Sequence, residues 1–293
     1  MNRDEVIKYF LLAPAVIVLL ITTVYPILRS LWISFHSWNL TESLTLGPFI
    51  GVHNYIRAFN SPSFWNSVLV TFIFTALSVL SIIAISLGIS LVLRKERKVY
   101  SYVRGFLILP FAISPALLGF SWRFMLNPDY GLFDKIIGTI FPHFSEVIWL
   151  GQPTTAMAAL VSIVAWIWVP FVALAFISAL INFPQELYEA ARVDGASALQ
   201  VFYHVTLPLL KPIILIQTTL VTMFMLRQFS SVITLTGGGP GDSTSILNYQ
   251  VYLRAFRFFE MGYGAALAYI LAAIMFLFTL VYMRFLVKGS GWD

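Results

Sequence analysis

NFPQELYEAARVDGASALQVFYHVTLPLLKP, residues 182–212, is the only long polar passage in the chain flanked on both sides by strongly apolar sequence. Its chemistry predicts two short helices meeting at a bend. Pro184 suits a first helical turn, where its missing N–H is not needed, and Glu186 sets negative charge near the positive helix end. The first helix is therefore expected over about residues 184–194. Gly195 can take the left-handed conformation that closes a helix, and Ser197 with Gln200 three residues later forms a capping box that opens a second. That second helix is expected to be short, ending before Pro208. Leu187, Tyr188 and Ala191 fall on one face of the first helix, and Ala190 and Ala191 are small enough for another backbone to approach closely. The passage reads as an elbow in water between two membrane helices, shaped to enter a socket on another protein.

The composition sets that elbow in an all-α integral membrane protein. Hydrophobic residues make up 59% of the 293 positions, charged residues 11%, and the mean hydropathy is +0.85, too apolar for a soluble globule. Cysteine is absent, which excludes disulfides and thiolate metal sites. A net charge of +5 suggests nucleic acid only until the basic residues are located: they cluster beside apolar runs, which is how membrane proteins fix orientation. No nucleic-acid partner is expected.

About six transmembrane helices are expected, over residues 9–28, 67–93, 106–126, 154–180, 212–235 and 262–285. The first is long enough to span and is followed by no small-residue cleavage site, so it is read as a helix entering from the cytoplasm. Residues 39–65 form a mixed polar outer loop with an amphipathic piece over 55–59, and a second amphipathic outer segment covers 132–150. Pro110 and Pro115 predict a kink in the third span. Arg94, Lys95, Arg97, Lys98 and Arg104 form the densest basic cluster and mark the end of the second span as cytoplasmic. With Arg3, Lys8, Arg192, Lys211, Arg284 and Lys288 they bring eleven of the 18 Lys and Arg residues to the inner side, with both termini cytoplasmic.

Glu189, Ala190, Ala191, then Gly195, then Val205, Leu207 and Pro208 resemble the Glu-Ala-Ala loop of ABC-importer permeases, Val205 standing where Ile is commoner. The stretch FIGVHNY at 49–55 looks like the first outer loop of the carbohydrate-uptake branch (the maltose and glycerol-phosphate type), and NPDYG at 127–131 and LTGGGP at 235–240 are similar to two further signatures of it. The resemblance implies one transmembrane permease domain over residues 1–293, with a core at 67–285 and a coupling loop at 182–211 between helices four and five. It implies that Glu189 is a polar contact, Ala190 and Ala191 a close-packing surface and Gly195 the bend, with Leu207 and Pro208 completing the ATPase-coupling set. The implied partners are a second homologous permease, two ATPase subunits carrying ATP and Mg, an extracytoplasmic solute-binding protein and membrane lipid. The location it implies is the bacterial-type inner (plasma) membrane, with no cofactor on this chain.

The chemistry-bearing residues agree with that expectation. No G-x-x-x-x-G-K-[ST] stretch occurs, and the glycine run at 237–241 lacks the lysine that reaches phosphates, so energy must come from another chain. No Asp or Glu falls in an assigned span, and His36, His53, His143 and His204 are all assigned to loops, so ion coupling and membrane hydrolysis lack their usual groups and neither a catalytic nor a metal site is expected. Trp166 with Ser162 on the fourth helix, and Arg227 with Ser230, Ser231 and Thr234 on single faces of the fifth, supply aromatic and polar surface suited to a sugar path. Packing and helix-backbone hydrogen bonding explain Trp, Ser and Thr in spans equally well. Arg227 needs a cavity or a partner, either a substrate or a structural clamp. Ser230 stands where relatives often carry an acid, so an anionic sugar derivative would suit Arg227. The expected function is an importer permease for a sugar or sugar derivative; the rivals are a stand-alone secondary transporter or channel, a membrane enzyme, and an importer of a non-sugar solute.

Overall fold

Apolar runs surrounded by lipid must close their own backbone hydrogen bonds, and the helix does so within one segment. The computed structural model describes residues 3–94, 98–140 and 147–289, and its regular elements there are helical. In chain order they are α1 (Arg3–Leu19), α2 (Tyr25–Ser34), α3 (His53–Phe59), α4 (Pro62–Leu93), α5 (Lys98–Leu107), α6 (Pro115–Met125), α7 (Leu132–Ile140), α8 (Pro153–Ile181), α9 (Gln185–Val193), α10 (Ala198–Val201), α11 (Leu207–Leu226), α12 (Leu247–Tyr252) and α13 (Met261–Gly289). Among the described residues five helices are long and apolar enough to cross a membrane, six if one bent pair counts as a single span. Lys95, Arg97, His143 and the rest of 141–146 lie outside the described residues.

The chain divides into two compact units. The first holds residues 1–65 and 250–273. A π-helical turn, Leu20–Val24, joins α1 to α2, so the first candidate span, Leu11–Ser34, runs six residues past the expected end at 28. The reason is local: Pro26 sits in the first turn of α2, where no N–H is required, and nothing between it and Ser34 breaks the helix. Asn54 of α3 holds the chain that follows α2, its Nδ2 donating to the carbonyls of Ser34 (2.8 Å) and His36 (3.0 Å). Glu260 then takes Arg57 at 2.7 Å and Arg254 at 3.2 Å, and the Arg57 guanidinium lies 4.1 Å over the Tyr263 ring. The N–H groups of Leu40 and Gly262 donate to Phe259 and Trp38, tying the loop after α2 to the start of α13.

The second unit holds residues 66–249 and 274–293. Ser67, Thr71, Thr75, Ser78, Ile82, Ser86 and Ser90 recur at spacings of three and four along α4 and are all buried. Small side chains on one face let helices approach closely where lipid supplies no hydrophobic drive. Ser86 Oγ donates to the Val169 carbonyl of α8 at 3.0 Å, and Thr71 Oγ1 accepts the Leu247 N–H at 2.8 Å. The carbonyl of Leu93, last in α4, receives the Arg104 guanidinium, a cation at the negative helix end.

Several expectations change. The third span is broken, not kinked: Tyr102–Ala112 and Pro115–Met125 meet at 93°. Pro110 opens a 3-10 turn, Leu109–Ala112, and Ser114, preceding Pro115, is held at φ −57°, ψ 130°, outside the helical region as a residue before proline usually is. The second helix of the polar passage does not stop before Pro208. It continues through a π-helical turn, Phe202–Thr206, into α11, giving one candidate span, Ala198–Leu226. The π turn shifts the hydrogen-bond ladder just ahead of Pro208, so the missing donor falls in the first turn of α11. His204 therefore lies in a helical span, not a loop, and His53 opens α3. That helix ends at Leu226 rather than 235, because side chains compete with its ladder: Gln228 Oε1 accepts the Phe229 N–H (3.0 Å) and Asn248 Nδ2 donates to the Arg227 carbonyl (2.8 Å).

Candidate functional site

The elbow is built from two interlocking caps. α9 carries Glu186 in its first turn and Arg192 in its last, matching the helix dipole at both ends. Beyond it Gly195 stands at φ +77°, its N–H donating to the Arg192 carbonyl at 3.1 Å, while the Ala196 N–H reaches the Ala191 carbonyl at 3.0 Å. These are the two bonds of a Schellman closure. One residue later the Ser197 N–H donates to Gln200 Oε1 at 2.8 Å and the Gln200 N–H to Ser197 Oγ at 3.4 Å, the capping box of α10. Only Ala196 separates the glycine from the second cap. Because α10 continues into the fifth span, the elbow is joined to a membrane helix without a flexible linker.

The faces of α9 differ from the sequence expectation. Tyr188 turns inward and is buried, whereas Leu187 is exposed and Ala191 half-buried. Glu189 and Ala190 are exposed. Val193 and Leu199, 88% and 66% exposed, join Leu187 as apolar side chains presented to solvent beside the bend. Sequence reasoning passed over Val193 and Leu199, although large apolar residues in a polar loop were the available signal. Leu207 and Pro208 lie at the start of α11, half-buried and exposed respectively, beyond the elbow itself.

Of the candidate path residues, Trp166 and Ser162 share an exposed face of α8, whereas Arg227, Ser230, Ser231 and Thr234 do not share a face of α11. Trp166 is 55% exposed on α8, and one turn before it Ser162 Oγ donates to its own helix at Ala158. Arg227 caps α11 and is exposed, with no carboxylate within ion-pair distance among the described residues. Ser230, Ser231 and Thr234 lie past the helix end, not on it. Ser231 is buried beside Gln228, and Thr234, in the π-helical turn Val232–Thr236, is buried against Gly119 of α6. Ser230 is half-buried, and its carbonyl accepts Thr234 Oγ1 at 2.7 Å.

Residues 55–288 match the family described as binding-protein-dependent transport system inner membrane component. The chain belongs to this family. It is 34% identical over 285 residues to the trehalose/maltose transport system permease protein MalF of Thermococcus litoralis, covering 96% of this chain and 94% of that one. It is likewise 34% identical over 281 residues to the sulfoquinovosyl glycerol transport system permease protein SmoG of Agrobacterium fabrum, covering 96% and 90%. Among solved structures, a bacterial ABC transporter involved in the import of the acidic polysaccharide alginate superposes with a TM-score of 0.82 at 21% identity, covering 98% of this chain and 97% of that one. The architecture is thus the ABC-transporter permease fold. This family member is an inner-membrane permease subunit of binding-protein-dependent transport, and ATP hydrolysis belongs to a separate chain.

Proposed function

We propose that this permease lines the pathway of an ATP-driven importer for a sugar or sugar derivative, with the double-capped elbow as its coupling helix. The single observation that carries the coupling role is the rigid junction of α9, Gly195 and the Ser197 cap to the fifth span. Force applied to Glu189, Ala190 and Ala191 is transmitted to Ala198–Leu226 as a lever. In this reading the termini and the elbow are cytoplasmic, two ATPase subunits loaded with ATP and Mg grip the coupling loops, and a second homologous permease completes the path. An external binding protein delivers the solute. The whole chain acts as one transmembrane domain with its core at 67–285. The sugar class is supported by the names of the two relatives, both sugar-transport permeases at 34% identity.

The decisive experiment reconstitutes the chain with its partner permease, ATPases and binding protein in proteoliposomes and follows labelled sugars. Uptake is expected only with ATP inside and binding protein outside; flux through this chain alone, without ATP, would instead identify a channel or secondary transporter.

Arg227 favours a second, narrower reading, an anionic sugar derivative. Its exposed guanidinium has no carboxylate partner among the described residues, and a sulfonate or phosphate would supply one. A charge-assisted hydrogen bond contributes about 1.5–3 kcal/mol, so Arg227→Gln is expected to lower uptake of an anionic sugar by about tenfold or more. Uptake of a neutral disaccharide should be little changed. Equal effects on both would remove Arg227 from substrate recognition.

A further inference from the structure

A cavity of about 350 Å³ opens at the root of the elbow, where α4 and α8 end. Its volume is in the range of small-ligand sites, about 300–1,000 Å³. Among the described residues its polar lining is Arg94, Gln185, Tyr188 and Arg192, its apolar lining is Leu180, Ile181 and Phe183, and none of these is acidic. Arg94 directly follows the last residue of α4, Leu180 and Ile181 close α8, and Tyr188 and Arg192 belong to α9. Two membrane helices and the elbow therefore meet around one concave, positively charged space.

Three observations point to an anion. Neither guanidinium has a carboxylate within ion-pair distance among the described residues. The Arg94 guanidinium lies 5.5 Å over the Tyr188 ring, which holds it at the cavity rather than free in water. The Tyr188 hydroxyl is buried and makes no hydrogen bond among the described residues, although a buried hydroxyl ordinarily has a partner. Two planar cationic forks, a primary amide and a phenol make a donor set for the oxygens of a phosphate group. The apolar wall formed by the ends of α8 and the following loop suits the acyl-glycerol part of a lipid, and basic pockets between membrane helices are where anionic headgroups bind.

We propose that this cavity is a binding site for the phosphate headgroup of an anionic phospholipid, which bridges the end of α4 to the elbow helix α9. The lipid would then be part of the elbow's attachment, through the face of α9 that carries Gln185, Tyr188 and Arg192. The proposal needs the spans to cross a membrane but does not depend on the docking of an ATPase or on the solute carried.

The test uses the full chain purified with its partner subunits, washed in detergent, supplied with phosphatidylglycerol or phosphatidylcholine, and examined by native mass spectrometry. Retention of phosphatidylglycerol but not phosphatidylcholine is expected. The double variant R94Q/R192Q should lower that retention by about tenfold or more, since each cation near a headgroup contributes separately. R94K/R192K keeps the charge and should retain the lipid, and Tyr188→Phe, which removes one donor and leaves the ring, should weaken retention without altering insertion. Inorganic phosphate in excess should fail to displace the lipid. Undiminished retention in R94Q/R192Q would overturn the proposal, as would undiminished retention in Tyr188→Phe if the double variant fails to insert. Displacement by inorganic phosphate would overturn the lipid as the source and assign the cavity to a free anion. Each readout is binding alone, so failed transport would not be mistaken for a failed site.

Discussion

Replacing Gly195 with proline is expected to reduce ATP-driven uptake by about tenfold or more while leaving the amount of chain in the membrane unchanged. Gly195 sits at φ +77°, and proline is fixed near −65°, so the bend has to change rather than strain slightly. The Gly195 N–H is also one of the two bonds that close α9, and proline has none to give. Residues held in sparsely populated backbone regions cost about 1–3 kcal/mol, and each 1.36 kcal/mol is tenfold in a rate. An added Cβ at this position would meet no heavy atom within 4 Å, so the demand is conformational and not steric. Asn tolerates the left-handed region better than other non-glycine residues, and Gly195→Asn should keep most of the uptake that proline abolishes. Membrane fractionation establishes insertion, and sugar uptake measured beside ATP hydrolysis establishes coupling. Full uptake by Gly195→Pro would mean that the bend transmits nothing.

What the sequence disclosed, and what it concealed, follows the range of the interactions concerned. The elbow was legible because its determinants are local: Pro184, Glu186, Gly195, Ser197 and Gln200 specify two caps within seventeen residues. The spans were legible as apolar runs, and the sixth lies almost where it was expected. Their ends were not. Pro208 and Pro212 read as a boundary, yet a π-helical turn carries the helix through, a solution visible only when the backbone is traced. Pro110 and Pro115 read as a kink, but Ser114, just before Pro115, is held out of the helical region and the two helical pieces meet at 93°. The placement of Arg227 with Ser230, Ser231 and Thr234 on one helix failed because Gln228 and Asn248 take the backbone groups that would have continued it. The second of these lies 21 residues away, beyond any local pattern. Tyr188 shows the same limit in a side chain: helical spacing grouped it with Leu187, while in the fold it is buried, with Arg94, just past the end of α4, over its ring.

Gly262→Val is expected to have the largest effect on folding in the first unit. The glycine opens α13, and its N–H donates to the Trp38 carbonyl at 3.1 Å. A Cβ built there would overlap the His36 carbonyl oxygen and lie 3.2 Å from both the His36 carbonyl carbon and Asn54 Nδ2. The obstruction is backbone, which cannot rotate away as a side chain can. It is also backbone already gripped on its other side, because Asn54 Nδ2 donates to that same His36 carbonyl at 3.0 Å. Overpacking alone destabilises by about 1–3 kcal/mol, and displacing the strand of chain between 36 and 39 breaks the Gly262 and Asn54 bonds as well. Heating the purified complex and following monodispersity by size exclusion should show a lowered midpoint, or no monodisperse material at all. Gly88→Ala, in the last two turns of α4, is the matched comparison: no heavy atom lies within 4 Å of its added Cβ, and alanine is favoured over glycine in a helix by about 1 kcal/mol. That variant should be as stable as the parent or more so. A Gly262→Val protein as stable as Gly88→Ala would show that the loop after α2 is not seated on the start of α13, and that the Glu260 ion-pair cluster beside it holds the first unit without that contact.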